Sequence, residues 1–427
     1  MVVFILLGLL VVFAAMAVPL AFAIGASSIT FLAIAAPSYL MILPQKLWSG
    51  TYSELLIALP LFMIAGGLMN HGGITDRIIQ FCMHLVRPFR GGLGEVNVVS
   101  SMIFGGISGS SVADTSALGS ILIPAMEKNG YPREAAAGIT VASSTVGMII
   151  PPSIPMIVYA MISGASISSL FIAGLVPGIL IGVTQVVLVY IISWKKGWHP
   201  ARTKFDWKGF AKDALYGFPA LIMPVIIVLA VSLGIATATE SAAVAAVYAL
   251  LVGFLIYHEL TWKQVWETLK TSFVSSASIM LIVAITSIFT WILTMYNIPA
   301  LIQGVFLGMD VPAFVIGLMF IVIILVFGTF IDVVPAITLL TPILLPVMEQ
   351  IGVTSLQFGA MMITGLAIGL VTPPVGMCLN ACHRVSKMPI IDIFKGAAPY
   401  VACNVLVLLL ITMIPGLTTW LPTVLSY

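Results

Sequence analysis

Long apolar runs separated by short clusters of Gly, Pro, Ser and Thr organise this chain. Two runs precede Lys46, one covers 55–70, another 169–193, and three more cover about 214–233, 237–258 and 271–296. Each approaches or exceeds the ~20 residues that cross a hydrocarbon core as a helix. Apolar stretches of another kind lie between them. Residues 91–127 hold two arms, 97–107 and 114–126, each short of a full crossing, joined by Gly105-Gly106-Ile107-Ser108-Gly109-Ser110-Ser111. Residues 134–163 are interrupted at Ile150-Pro151-Pro152-Ser153. The first pattern predicts a re-entrant helical hairpin and the second a broken transmembrane helix, both tolerable at membrane depth only beside protein or water.

The same arrangement returns in the second half. Ile123-Pro124-Ala125-Met126-Glu127, followed by Gly130, recurs 222 positions later as Leu345-Pro346-Val347-Met348-Glu349, followed by Gly352. One ungapped register then carries Gly147 to Gly369, Pro151-Pro152 to Pro373-Pro374, Gly174 to Gly396 and Pro177 to Pro399. It places a second hairpin at about 311–348 and a second broken helix at Thr372-Pro373-Pro374-Val375-Gly376. The retained residues are helix breakers in apolar surroundings, the mark of interrupted helices around a polar cavity.

Composition supplies the solvent. With 61% hydrophobic and 7% charged residues and a mean hydropathy of +1.19, most of the chain must face lipid. The expected fold is an all-α polytopic membrane protein of inverted repeats, each a re-entrant hairpin with a broken transmembrane helix. A net charge of +2 without a basic stripe argues against a nucleic-acid partner. Cys82, Cys378, Cys382 and Cys403 lack metal or redox spacing and read as small buried side chains. The N-terminus lacks a basic leader and cleavage site, so it reads as an uncleaved first span. No paired aspartates or HExxH motif suggest an intramembrane hydrolase, so the chain is not expected to be an enzyme.

Lys and Arg gather in cytoplasmic loops. Lys195, Lys196, Arg202, Lys204, Lys208 and Lys212 place 195–213 inside, and four smaller clusters join them: Arg77, Arg87 and Arg90; Lys128 and Arg133; Lys263 and Lys270; and Arg384, Lys387 and Lys395. The first hairpin lies between two such clusters, so it enters and leaves on the cytoplasmic side. Matched loops of the halves have opposite charge: Lys128 and Arg133 have no basic counterpart in 350–355, while 162–168 has no match for the basic residues of 384–395. The repeats are therefore read as inverted, with the second hairpin entering from outside and both termini outside. Segments 73–90 and 297–310 precede the hairpins either as amphipathic interfacial arms or as ordinary loops with a helical turn.

Interrupted helices expose carbonyls that attract cations and N–H groups that attract anions. Hydroxyl-rich breaks without a carboxylate cluster suit Na⁺. A first Na⁺ site is assigned to Ser108, Ser110, Gly147, Ile150 and Pro152, and a second to Gly328, Thr329, Asp332, Gly369, Thr372 and Pro374. Ser111, Thr145 and Ser153 are assigned to an anionic substrate between them. Asp332 aligns with Ser110 and would assist or gate a cation, Asp114 is read as a helix cap, and Glu240 as a cap or interfacial residue. No Arg or Lys falls in a predicted membrane-depth segment, so bound cations would supply the positive charge and couple ion to substrate.

The tip Gly105-Gly106-Ile107-Ser108-Gly109-Ser110-Ser111-Val112-Ala113-Asp114, together with the Ile150-Pro151-Pro152-Ser153 and Thr372-Pro373-Pro374-Val375-Gly376 breaks, resembles the DctM-like large membrane subunit of tripartite ATP-independent periplasmic (TRAP) transporters over nearly the full chain. The resemblance implies Na⁺-driven uptake of an organic acid, with sialic acid favoured over a C4-dicarboxylate. It implies two partners, a periplasmic substrate-binding protein and a small four-helix membrane subunit on a separate chain, in a bacterial inner membrane whose lipid surrounds both. It also implies an elevator, with 91–194 and 311–415 as transport repeats, 1–90 and 214–310 as scaffold with arms, 195–213 as a basic cytoplasmic loop and 416–427 as a tail. A stand-alone Na⁺/carboxylate symporter would share this architecture.

Overall fold

The computed structural model describes residues 2–16, 18–86, 92–198, 207–309 and 311–425. Arg87, Arg90, Arg202 and Lys204, used above for topology, lie outside the described residues. Among the described residues every regular element is helical, and eight helices are long and apolar enough to cross a membrane. The chain is a multi-pass membrane protein.

The N-terminal segment comprises α1 (Val2–Ala15), α2 (Leu20–Ala35), α3 (Leu43–Thr51) and α4 (Glu54–His71). Lys46, expected in a loop, therefore sits on a helix that packs along a later one. The first arm is helix α5 (Ile74–Val86), so of the two readings the helical one describes it. Arg77 holds it to the corner at 257–260 through Glu259 at 2.5 Å and stacks over Tyr257, while His84 meets Asp213 at 2.7 Å.

Helices α6 (Gly92–Ser108) and α7 (Ser111–Lys128) pack on each other across the two-residue link Gly109-Ser110, forming the first hairpin. Its arms are 17 and 18 residues, longer than the apolar pattern indicated. The helix continues beyond the apolar stretch because protein solvates its polar residues: Asn97 is buried and donates to Thr140 Oγ1 at 2.5 Å. The first broken helix consists of α8 (Arg133–Ser144), a short tight turn at 145–148 and α9 (Ile154–Ser163), followed by α10 (Ile167–Lys196).

Between the repeats run α11 (Trp207–Ser232), α12 (Ala238–Leu251) and the 34-residue α13 (Trp262–Met295). Glu240 closes a capping box with Thr237 at the start of α12. The second arm is helix α14 (Ile298–Leu307). The second hairpin is α15 (Ala313–Phe330) with α16 (Val333–Gln350), and the second broken helix is α17 (Ser355–Gly369) with α18 (Met377–Ser386). Helix α19 (Ile390–Met413) completes the repeat. The segment expected as a tail is helix α20 (Gly416–Val424), docked on α10 with Thr418 and Pro422 buried.

Residues 222 positions apart hold equivalent places. Gly130 and Gly352, which end the two hairpins, have φ of 88° and 89°. Helix α7 packs on α18 and α16 on α9, so the return arm of each hairpin rests on the far half of the other repeat's broken helix. One continuous apolar core runs through both repeats. A second core, including Ile24, Phe31, Ile288 and Phe289, joins α1 and α2 to α13.

Close backbone approach holds the repeats together where α8 crosses α19. A methyl group built on Gly138 would overlap the backbone of Gly396 and Ala397. Gly138→Ala should therefore lower the thermal midpoint, overpacking of about 1–3 kcal/mol outweighing a helix-propensity gain of about 1 kcal/mol. Gly304→Ala, on α14 with nothing within 4 Å of the new methyl, should leave it unchanged or raise it. Thermal unfolding of both variants in one detergent checks the pair.

Candidate ion and substrate site

Each hairpin tip lies against the break of its own repeat, and glycine makes the approach possible. In the first repeat, a methyl built on Gly147 would stand 2.6 Å from Gly105 Cα and overlap Asp114 Oδ2. One built on Gly106 would stand 2.9 Å from the Pro151 carbonyl oxygen, and one on Gly109 3.5 Å from that of Pro152. In the second repeat, a methyl on Gly328 would lie 3.1 Å from Gly369 Cα. The Gly376 N–H donates to the Thr329 carbonyl at 3.4 Å, tying that tip to its break. The sharp turn at Gly109, with φ +60°, is left-handed backbone that suits glycine.

Ser110 caps α7, its hydroxyl accepting from Ala113 N–H at 3.4 Å. Its counterpart Asp332 caps α16, accepting from Val333 N–H at 2.7 Å. The two aligned residues thus share a structural role, and Asp332 is exposed rather than enclosed. Asp114 does not cap. It sits one turn into α7, fully buried, where the Ser108 hydroxyl donates to Oδ1 and Oδ2 has no hydrogen-bond partner. The i, i+4 spacing from Ser110 was the signal that the carboxylate shares the tip's face. A buried carboxylate with one oxygen unsatisfied, facing Gly105 and Gly147, is a setting short of positive charge.

The remaining assigned residues divide. Ser108, Ser110 and Gly147 converge on the first tip, and Ile150 and Pro152 belong to the break beneath it. Ser111 is buried beside the tip with an unpartnered hydroxyl. Ser153 caps α9, accepting from Met156 N–H at 3.4 Å while donating to the Met148 carbonyl at 2.5 Å. Thr145 donates to Ala142 O at 2.7 Å and accepts from Asn404 at 3.0 Å, and Asn404 in turn accepts from Gln185 at 2.7 Å. This network packs α8, α10 and α19 and engages the Thr145 hydroxyl as both donor and acceptor. On the second side, Gly328 and Gly369 are buried, Thr329 and Thr372 half-buried with hydroxyls bonded to Val326 O and Ile368 O, and Pro374 exposed. Sequence reasoning missed the cross-repeat contact that places buried Cys378 of α18 near Thr115 and Ser144.

Interrupted helices that present polar tips to paired breaks inside a multi-pass bundle define a membrane transporter of the hairpin class. The comparisons narrow this. The family described as "Tripartite ATP-independent periplasmic transporter, DctM component" matches residues 7–417. The sialic acid TRAP transporter large permease SiaM of Vibrio cholerae is 35% identical, covering 95% of this chain and 94% of its own. The 2,3-diketo-L-gulonate large permease YiaN of Escherichia coli is 36% identical, with 88% of each chain covered. The C4-dicarboxylate large permease DctM of Vibrio cholerae is 34% identical, covering 96% and 94%. The crystal structure of the Alcanivorax borkumensis YdaH transporter shares the fold, with a TM-score of 0.63 over 90% of each chain at 14% identity. The chain belongs to the DctM family of TRAP transporter large permeases.

Gly147→Ala should push the first tip off its break. The expected result is a severalfold faster reaction of a cysteine at position 111 with a thiol reagent than in the Gly147 parent, and labelling rates in purified protein measure it.

Proposed function

We propose that this chain is the ion-coupled permease of a tripartite system that takes up an organic acid across a bacterial inner membrane. A periplasmic binding protein delivers the acid, and a small four-helix membrane subunit completes the transporter. The observation that carries the ion coupling is the buried Asp114 carboxylate, whose free oxygen faces Gly105 of the tip and Gly147 of the break. Na⁺ is the co-transported ion. Ser108, Ser110, Asp114, Gly147 and the carbonyls around Ile150 and Pro152 would bind one ion. Gly328, Thr329, Gly369, Thr372 and Pro374 would bind another, with Asp332 at its edge. Ser111 and Ser153 face the substrate between them.

The repeats, 91–194 and 311–415, move as one body against the scaffold formed by 1–90 and 214–310, and they are inverted across the membrane. The reciprocal packing of α7 with α18 and of α9 with α16 supports a single moving body. The apolar core of α1, α2 and α13 meets the second hairpin mainly through Leu339 of α16, a contact at which a scaffold could slide against the repeats. Relatives of nearly equal identity are named for a sialic acid, a sugar acid and a C4-dicarboxylate, which supports a carboxylate and ranks none; overall resemblance favours sialic acid.

Proteoliposomes containing both membrane subunits and the binding protein should accumulate N-acetylneuraminate or succinate under a Na⁺ gradient and not a K⁺ gradient. Asp114→Asn and Thr372→Ala should each raise the half-saturating Na⁺ concentration about tenfold, equivalent to about 1.4 kcal/mol. Unchanged ion dependence in both variants would remove the ion sites, and uptake by this chain without a binding protein would favour the stand-alone symporter.

A further inference from the structure

A cavity of about 560 Å³ separates the intervening helices from the repeats, with α3 and α13 on one wall and the ends of α9 and α16 on the other. None of the tip or break residues lines it. Lys46 is the one charged residue among the described residues that do. Its ammonium lies 5.7 Å from the centre of the Trp291 ring, and among the described residues no carboxylate pairs with it. The other polar lining is hydroxyl. Ser53 stands at the N-terminus of the 18-residue α4 without using its side chain as a cap. Thr286 and Thr338 meet across the α13–α16 seam at 3.4 Å, and Thr290 is one residue from Trp291 on α13.

A half-buried ammonium with no anion beside it favours an anionic ligand, and hydroxyls with a helix N-terminus supply donors for its oxygens. The absence of any carboxylate in the lining disfavours a cation there. The volume falls within the ~300–1,000 Å³ range of small-molecule sites and suits acids from a four-carbon diacid to a sugar acid. We propose that this cavity is a carboxylate-binding vestibule, with Lys46 as counter-charge and Ser53 and Thr290 as hydroxyl donors. The choice of a carboxylate among anions rests on the organic-acid reading of the permease. Because its walls come from both scaffold and repeats, the vestibule is formed only while those elements stand in this arrangement.

The test uses the full chain in nanodiscs, with Cys403→Ser removing the half-buried thiol and Thr294→Cys placing a reporter in the wall. Its reaction with a sulfonate-bearing methanethiosulfonate is compared with that of a trimethylammonium-bearing one. Lys46→Gln should lower the anionic-to-cationic rate ratio about three- to tenfold, and Lys46→Arg should restore it, separating charge from packing. Millimolar succinate or N-acetylneuraminate should slow labelling in the Lys46 parent and not in Lys46→Gln. A ratio indifferent to Lys46, or labelling that neither acid slows, overturns the vestibule. Labelling requires no transport, so failed uptake would count against the proposed function while this result still judged the cavity.

Discussion

Backbone polar groups at membrane depth must find partners inside the protein, and that requirement governs this fold. Two helices are interrupted and two hairpins turn among apolar side chains, which satisfy no N–H or carbonyl group. The structure answers by laying each tip against the break of its own repeat. Glycine is needed on both faces of these contacts: Gly105 and Gly147 in one repeat, Gly328 and Gly369 in the other, meet through backbone that a side chain would hold apart. The hydroxyl of Ser110 and the carboxylate of Asp332 then cap the helices that leave the two tips, and the hydroxyl of Ser153 caps the helix that leaves the first break.

The two repeats solve this problem with different chemistry. The first tip and break are mostly buried and enclose the Asp114 carboxylate, whereas the second present Asp332 and Pro374 to the surface. The register places Ala336 at the position of Asp114, so the second repeat has no enclosed carboxylate to match. Ion sites built on these two frames would differ in charge and in access, one offering a fixed anion within the protein and the other mainly neutral oxygens near an opening.

Cross-repeat packing shows why neither half stands alone. Helices α7 and α18, like α16 and α9, pack on each other across the repeats, and the Gly138–Gly396 crossing locks α8 to α19 at backbone distance. The polar chain Gln185–Asn404–Thr145 is buried in the same body and joins α10 of one repeat to α19 of the other. Such a network has to be satisfied as a unit, which favours one arrangement of these helices.

Sequence alone determined the membrane environment, the helical class, the 222-residue repeat and the positions of both tips and breaks, because hydropathy and helix breakers are local properties of the chain. It located the segments around Ser108, Ser110, Gly147, Gly328 and Gly369 for the same reason. Tertiary structure decided what those residues touch. It turned Asp114 from a cap into a buried carboxylate bonded to Ser108, gave capping to Asp332, and drew Thr145 into packing against Asn404. It lengthened the first hairpin's arms and set Lys46 on a helix beside Trp291. These outcomes depend on partners up to 259 residues away in the chain, and a local pattern of apolar and polar positions contains no record of which distant side chain will fill a given space.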